Sequence, residues 1–129
     1  MGTALTIAVK RIHEPAGRGD GARFLVDRLW PRGVSKEKAA LAAWLKPLSP
    51  SDGLRKRYHG ATTDSDAAWD AFRLDYFAEL DAGSEEVRAA LFVLDAASQA
   101  GPVTLLYAAK SEERNNAIAL REWLERRSF

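Results

Sequence analysis

The sequence predicts an α/β domain in which a small sheet of about three strands is covered by helices. Three observations carry this. Short β-branched or apolar runs occur at residues 5–12, 24–29 and 103–108, helical spacing fills most of the stretch between the last two, and a final helical segment follows. The order strand, loop, strand, several helices, buried strand, helix is that of a sheet with helices laid on it. A chain of 129 residues with 47% hydrophobic and 29% charged residues suits one core, and one domain spanning residues 1–129 is expected.

Leu5 to Ile12 is rich in β-branched residues and ends on Lys10 and Arg11, so it reads as a strand with a basic end. His13 to Gly21 holds Pro15, Gly17, Gly19 and Gly21 and reads as a loop too short to contain a crossover helix. Its Arg18-Gly19-Asp20 triplet is expected to form a turn. Phe24 to Leu29 is the second strand. Ser35 can cap a helix through Leu41, Trp44 and Leu45, whose spacing gives one apolar face. Ser49, Pro50 and Asp52 then supply a cap, a proline at the first helical position and an acid at the third for a short helix through Tyr58, ended by Gly60.

Ser65 to Asp81 is the strongest helical pattern, with Trp69, Phe72, Tyr76 and Leu80 on one face. Ser84 to Ala100 follows with Val87, Leu91 and Leu94 inward, and Gly101-Pro102 stops it. Val103 to Ala108 reads as a central buried strand, and Glu112 to Arg127 as a closing helix carrying Ala117, Leu120 and Leu124. Trp123 and Phe129 are the apolar candidates for a contact between copies, while the oligomeric state stays open.

Composition excludes several chemistries. With no cysteine, there are no disulfides, thiolate metal sites, iron-sulfur clusters or cysteine nucleophiles, and two histidines are a thin supply of imidazole ligands. No metal and no cofactor are expected. No apolar run approaches the roughly 18–20 residues of a membrane span, and the first residues lack a signal-peptide pattern, so a cytoplasmic protein without a membrane partner is expected. Net charge is +1, but residues 1–60 carry +7 and the remainder −6. Either the first half receives an anion, or the two halves attract each other within the fold.

The candidate site centres on Arg23 to Gly33, where an apolar strand runs into Asp27, Arg28 and Arg32. Charges at the end of a buried strand must be paired, solvated in a cleft or used on a ligand, because an isolated buried charge costs several kcal/mol, about 3–5 when a partner is removed. Arg28 and Arg32 flank the stiff Trp30-Pro31 pair and could fork onto phosphate or carboxylate, or else close salt bridges. Trp30 offers a core side chain or a stacking platform. Asp27 is the candidate general base, nucleophile or Mg²⁺ ligand, with orientation of an arginine as its alternative role, and one carboxylate alone does not make a metal site.

Arg55 and His59 stand four apart on one helical face, which gives an anion-binding cation beside a proton donor. His59 is therefore the candidate acid. In a parallel sheet, ligands sit beyond the carboxyl ends of strands, which would gather Lys10, Arg11, Asp27 to Arg32, and Tyr107 to Lys110 at one rim. The nucleophile elbow, the P-loop and the dinucleotide-binding glycine motif are all absent.

Taken together, several motifs resemble one family. They are Lys10-Arg11, the run Asp20-Gly21-x-Arg23-x-Leu25-Val26-Asp27-Arg28-Leu29-Trp30-Pro31-Arg32-Gly33, Pro50-Ser51, Leu54-Arg55, His59, and Thr104-Leu105-Leu106-Tyr107-x-Ala109-Lys110 with Asn115 and Ala117. The resemblance is to the YeaO-like proteins, a bacterial family of the domain of unknown function 488, and it covers nearly the whole chain. It implies a small cytoplasmic α/β protein and brings no activity with it. Where relatives often carry cysteine-containing segments, or Asn-His-Ala, this chain has Tyr107 and Asn115-Asn116-Ala117, so no thiol or histidine mechanism transfers there.

Three function classes follow. The first is an enzyme acting on, or a protein binding, a phosphorylated or otherwise anionic small molecule such as a nucleotide, with Lys10, Arg11, Arg28, Trp30, Arg32, Arg55, Tyr107, Lys110 and Asn115 as binding residues and Asp27 with His59 as base and acid. The second is a non-catalytic nucleic-acid-binding or regulatory module using the basic half. The third is a structural or interaction protein whose strand-end charges form an ion-pair network.

Overall fold

The computed structural model describes residues 7–58 and 65–127. Within them, four strands form one sheet: β1 (Ile7–Arg11), β2 (Ala22–Leu25), β3 (Ala43–Trp44) and β4 (Val103–Tyr107). Their order is β1-β4-β2-β3 and every pairing is parallel. Val103 is therefore flanked by Ile7 on one side and Ala22 on the other. The expected central strand is β4, all five of whose residues are buried. Because all strands run one way, their carboxyl ends share one edge, as the rim expected from the sequence requires.

Among the described residues five α-helices accompany the sheet: α1 (Lys36–Ala39), α2 (Asp52–Arg57), α3 (Asp66–Asp81), α4 (Glu85–Ala100) and α5 (Asn116–Arg127). Ser65 and Ser84 cap α3 and α4 by accepting the amides of Ala68 and Val87, as Ser residues before helical runs are suited to do. The main core joins one sheet face, with Phe24, Val26, Leu105 and Tyr107, to Phe72, Tyr76 and Leu80 of α3, Leu94 of α4 and Leu120 and Leu124 of α5. Tyr76 is fully buried, and its hydroxyl is satisfied by the carbonyl of Leu48 at 2.5 Å. On the other face, Ile12, Leu25 and Leu106 meet Ala39, with Trp30, Val34 and Leu41 beside them.

Two elements differ from the sequence reading. The helix expected from Ser35 to Leu45 ends after one turn, because Ala40 adopts φ 48° and ψ 51°. Beyond it, the amides of Ala42 and Leu45 bond to the carbonyls of Arg23 and Leu25, at 2.7 and 2.8 Å, so sheet pairing claims the residues that helical spacing had assigned. This adds the short edge strand β3. The second helix is capped by Ser51 rather than Ser49, the Ser51 hydroxyl accepting the amide of Leu54 at 3.1 Å. The expected stop at Gly60 lies outside the described residues.

The connection from β1 to β2 is the least expected part of the topology. It returns a parallel strand without a crossover helix, holding only a single turn of 3-10 helix at Arg18–Asp20. Asp20 fixes this turn: its carboxylate accepts from Lys10 at 3.1 Å, Arg23 at 2.6 Å and the amide of Gly17 at 2.9 Å. An Arg-Gly-Asp triplet whose Asp is spent in this way is a structural turn, as expected. Gly21 then takes φ 65°, and a Cβ there would lie 2.1 Å from the carbonyl oxygen of Pro102. Gly21→Ala is accordingly expected to lose more than about 1 kcal/mol, since positive φ and a backbone clash act together. Urea unfolding followed by tryptophan fluorescence measures it, and an unchanged midpoint would refute the close approach.

Candidate functional site

The site is built where β2 ends. The amide of Val26 still bonds to the carbonyl of Leu106 at 3.1 Å, but the next ladder positions are taken by side chains. The amide of Ala108, just past β4, donates to Asp27 Oδ2 at 3.0 Å. The carbonyl of Val26 accepts from Asn116 Nδ2 at 2.8 Å, and the same nitrogen donates to Asp27 Oδ1 at 3.0 Å. One carboxylate and one amide thus tie together β2, β4 and the start of α5. Burial pushes the Asp27 carboxyl above its ordinary range, opposed by the hydrogen bonds from Asn116 and Ala108 and by the charge of Arg55.

Above this junction lies a cleft of about 350 Å³. Asp27, Asn116, Arg28 and Arg55 line it together with an aromatic group from α2 and α3. In that group Trp69 and Phe72 are stacked with ring centroids 5.8 Å apart and planes at 19°, and Tyr58 meets Phe72 edge-on at 5.8 Å. The Tyr58 hydroxyl donates to Asp75 at 2.7 Å, and that bond holds its phenol above the ordinary range.

Arg28 is anchored through Nε, which donates to the carbonyl of Pro50 at 2.9 Å. Its terminal nitrogens take no partner among the described residues, and it forms no ion pair with Asp27. Arg55 pairs with Asp52 at 2.9 Å, a contact in which both side chains are well exposed and which therefore binds weakly. Arg114, also at the cleft, pairs with Asp66.

Of the residues nominated from the sequence, Asp27, Arg28, Trp30, Arg55 and Asn115 come together at this cleft. Trp30 is half-buried, its indole N–H donating to the carbonyl of Val34 at 2.8 Å and its ring set edge-on to Trp44 at 5.6 Å. Asn115 is committed to capping α5: its Oδ1 accepts the amide of Ile118 at 2.9 Å and its Nδ2 donates to the carbonyl of Ser111 at 3.0 Å. The closing helix thus starts at Asn116 rather than at Glu112, where it was expected to begin.

The remaining nominees among the described residues do not line the cleft. Lys10 is paired with Asp20, Arg11 reaches the carbonyl of Ala108 at 3.4 Å, Tyr107 is buried in the main core, and Arg32 and Lys110 are exposed. His59 lies outside the described residues. Trp123 is buried, with its indole N–H on Asp81 at 2.9 Å, so it is no surface patch, and Phe129 lies outside the described residues. Among the described residues no group of three or more His, Cys, Asp or Glu is placed to hold a metal ion, and no helix is long and apolar enough to cross a membrane.

Sequence reasoning missed Asn116 as a site residue, though it had marked the Asn115-Asn116 pair as a departure from relatives. It also placed Trp69 and Phe72 on the apolar face of α3 without nominating them for the site. Their cleft-facing role depends on how α3 seats against α2, which no local pattern encodes.

Comparison with known proteins agrees with the architecture of the motifs. Residues 6–128 match the family described as the inactive DUF488-N3 subclade. The chain is 42% identical over 120 residues to the uncharacterized protein YeaO of Escherichia coli, covering 93% of this chain and 97% of that one. It is also 42% identical over 53 residues to the uncharacterized protein Rv3073c of Mycobacterium tuberculosis, covering 41% of this chain and 45% of that one. No solved structure matches. The long run through Asp27 and Arg28, the parallel sheet that presents it and the near full-length match to YeaO agree: the chain is a YeaO-like member of the DUF488 family.

Proposed function

We propose that the cleft binds a phosphorylated or otherwise anionic small molecule, such as a nucleotide, without converting it. The observation that carries this reading is Arg28, a half-buried guanidinium oriented by the Pro50 carbonyl and left with its terminal nitrogens unpartnered among the described residues. A planar fork held in this way matches phosphate or carboxylate oxygens. Arg55 adds a second cation whose own partner is exposed. Binding without turnover is supported by the family description, inactive, and by Asp27, both of whose oxygens already accept protein N–H groups.

The test is a thermal-shift series of the full chain against phosphate, phosphosugars, nucleotides and short oligonucleotides, beside Arg28→Ala. A ligand present at about 100 times its Kd adds about 2.7 kcal/mol and raises the midpoint of the parent. The shift is expected to vanish in the variant, and chromatography of the incubated ligand is expected to show it unchanged. A shift with oligonucleotides alone, lost steeply with salt, would favour the nucleic-acid module instead. No shift with any anion would overturn both.

A further inference from the structure

We infer that the occupant of this cleft is a nucleotide whose base presents an N–H donor to the Asn116 carbonyl and the Asp27 carboxylate. The inference rests on the anion-binding reading and names the ligand class for the same site. Its starting point is the Asn116 amide. Both hydrogens of Nδ2 are committed, one to the carbonyl of Val26 and one to Asp27 Oδ1, so the amide has a single sensible orientation and its Oδ1 must point away from both acceptors. That oxygen takes no hydrogen bond among the described residues, and Asn116 lines the cleft.

Asp27 contributes in the same sense. Each of its oxygens accepts one protein N–H, which leaves each with further acceptor capacity. These two neighbouring side chains therefore present acceptors and no free donor to a ligand. Arg28 and Arg55 are the reverse, donors without acceptors. An occupant satisfying both must carry N–H or O–H groups at one end and an anion at the other.

The aromatic wall selects between those donors. Trp69 and Tyr58, both partly buried and backed by the buried Phe72, line the cleft with apolar aromatic surface, which suits a heteroaromatic ring better than the hydroxyl-covered body of a phosphosugar. A base with an amino group or ring N–H, linked through its sugar to a phosphate, supplies donor, ring and anion together. An N–H from the base would also replace hydration that burial takes from the Asp27 carboxylate.

The experiment is titration calorimetry of the full chain with guanylate, adenylate, purine riboside monophosphate, whose ring carries no N–H donor, and ribose phosphate. Guanylate or adenylate is expected to bind about tenfold or more tighter than purine riboside monophosphate, because the donor-free ring leaves polar groups unpaired. In Asn116→Ala that preference is expected to shrink, while the comparison on the parent decides the matter even if this variant is unstable. Equal affinity for the nucleotides with and without the donor would overturn the inference and leave anion binding standing. Ribose phosphate binding as tightly as any nucleotide would do the same. Failure of all four to bind would overturn the inference, and the anion-binding reading falls with it only if no other anion shifts the thermal midpoint.

Discussion

Asp20→Ala is expected to lower the stability of the chain by about 3–5 kcal/mol, the range for removing one partner of a buried ion pair. The arginine left behind, Arg23, is only 3% exposed and sits in the second strand, where it cannot swing into water without leaving the sheet. Its Nε would keep the carbonyl of Ala39, but the guanidinium would have lost its acidic partner, at 2.6 Å. The same substitution frees the amide of Gly17 and Lys10, so the connection that returns the chain from β1 to β2 loses the three contacts of this carboxylate at once and keeps the Thr104 hydroxyl on the Asp20 carbonyl. Lys10→Ala should cost far less, because Lys10 is 22% exposed and can hydrate. Urea unfolding of both variants makes the comparison, and an Asp20→Ala protein within 0.5 kcal/mol of the parent, roughly the scatter of surface substitutions, would sink the argument.

The acid side of the stability profile follows from the same contacts. The amide of Gly17, then Lys10 and Arg23, hold the Asp20 carboxyl below its ordinary value of 3.8. A depressed carboxyl contributes stability that is complete above the unfolded value and disappears as pH falls through the folded one. Asp27 has the opposite sign. Burial raises it, so its ionisation in the folded protein removes stability as pH rises from 3.8 through the raised value. Asp20→Ala should therefore flatten the loss of stability below pH 3.8 relative to the parent.

Much of this architecture is local and therefore legible in the sequence. The apolar run at Val103–Tyr107 could only be buried on both faces, and Phe72, Tyr76 and Leu80 recur at helical spacing. What stayed hidden depends on distant partners. Ala43–Trp44 carries no strand signal and pairs only because Phe24 and Leu25 lie open beside it. Nothing in residues 12–21 announces a parallel return without a helix, since the feature that makes it work is a carboxylate reaching back to β1 and forward to β2. At the site, a charged end to an apolar strand was enough to find Asp27 and Arg28. Tyr107 was nominated by adjacency alone, although strand alternation puts it with Val103 and Leu105 in the core.

Arg28→Ala is expected to weaken binding of a nucleotide such as guanylate by about 10- to 100-fold, from the 1.5–3 kcal/mol typical of a hydrogen bond to a charged group. Arg55→Ala should cost less. The Arg55 side chain is 39% exposed, and part of what it offers a ligand is already spent on Asp52. Arg28 is held by Pro50, so less side-chain freedom remains to be lost on binding. Arg28→Lys distinguishes geometry from charge: it keeps the cation but cannot both reach the Pro50 carbonyl and fork onto an anion, and should behave more like the alanine variant than the parent. If both arginines hold one phosphate, the double variant will depart from additivity by about 0.5–3 kcal/mol, whereas additive losses would place them on different parts of the ligand. Raising the salt concentration should erode the Arg55 contribution, because its side chain is well exposed. Should Arg28→Ala bind guanylate as well as the parent does, with its fold intact, the unpartnered guanidinium is not an anion clamp and the function proposed for the cleft fails with it.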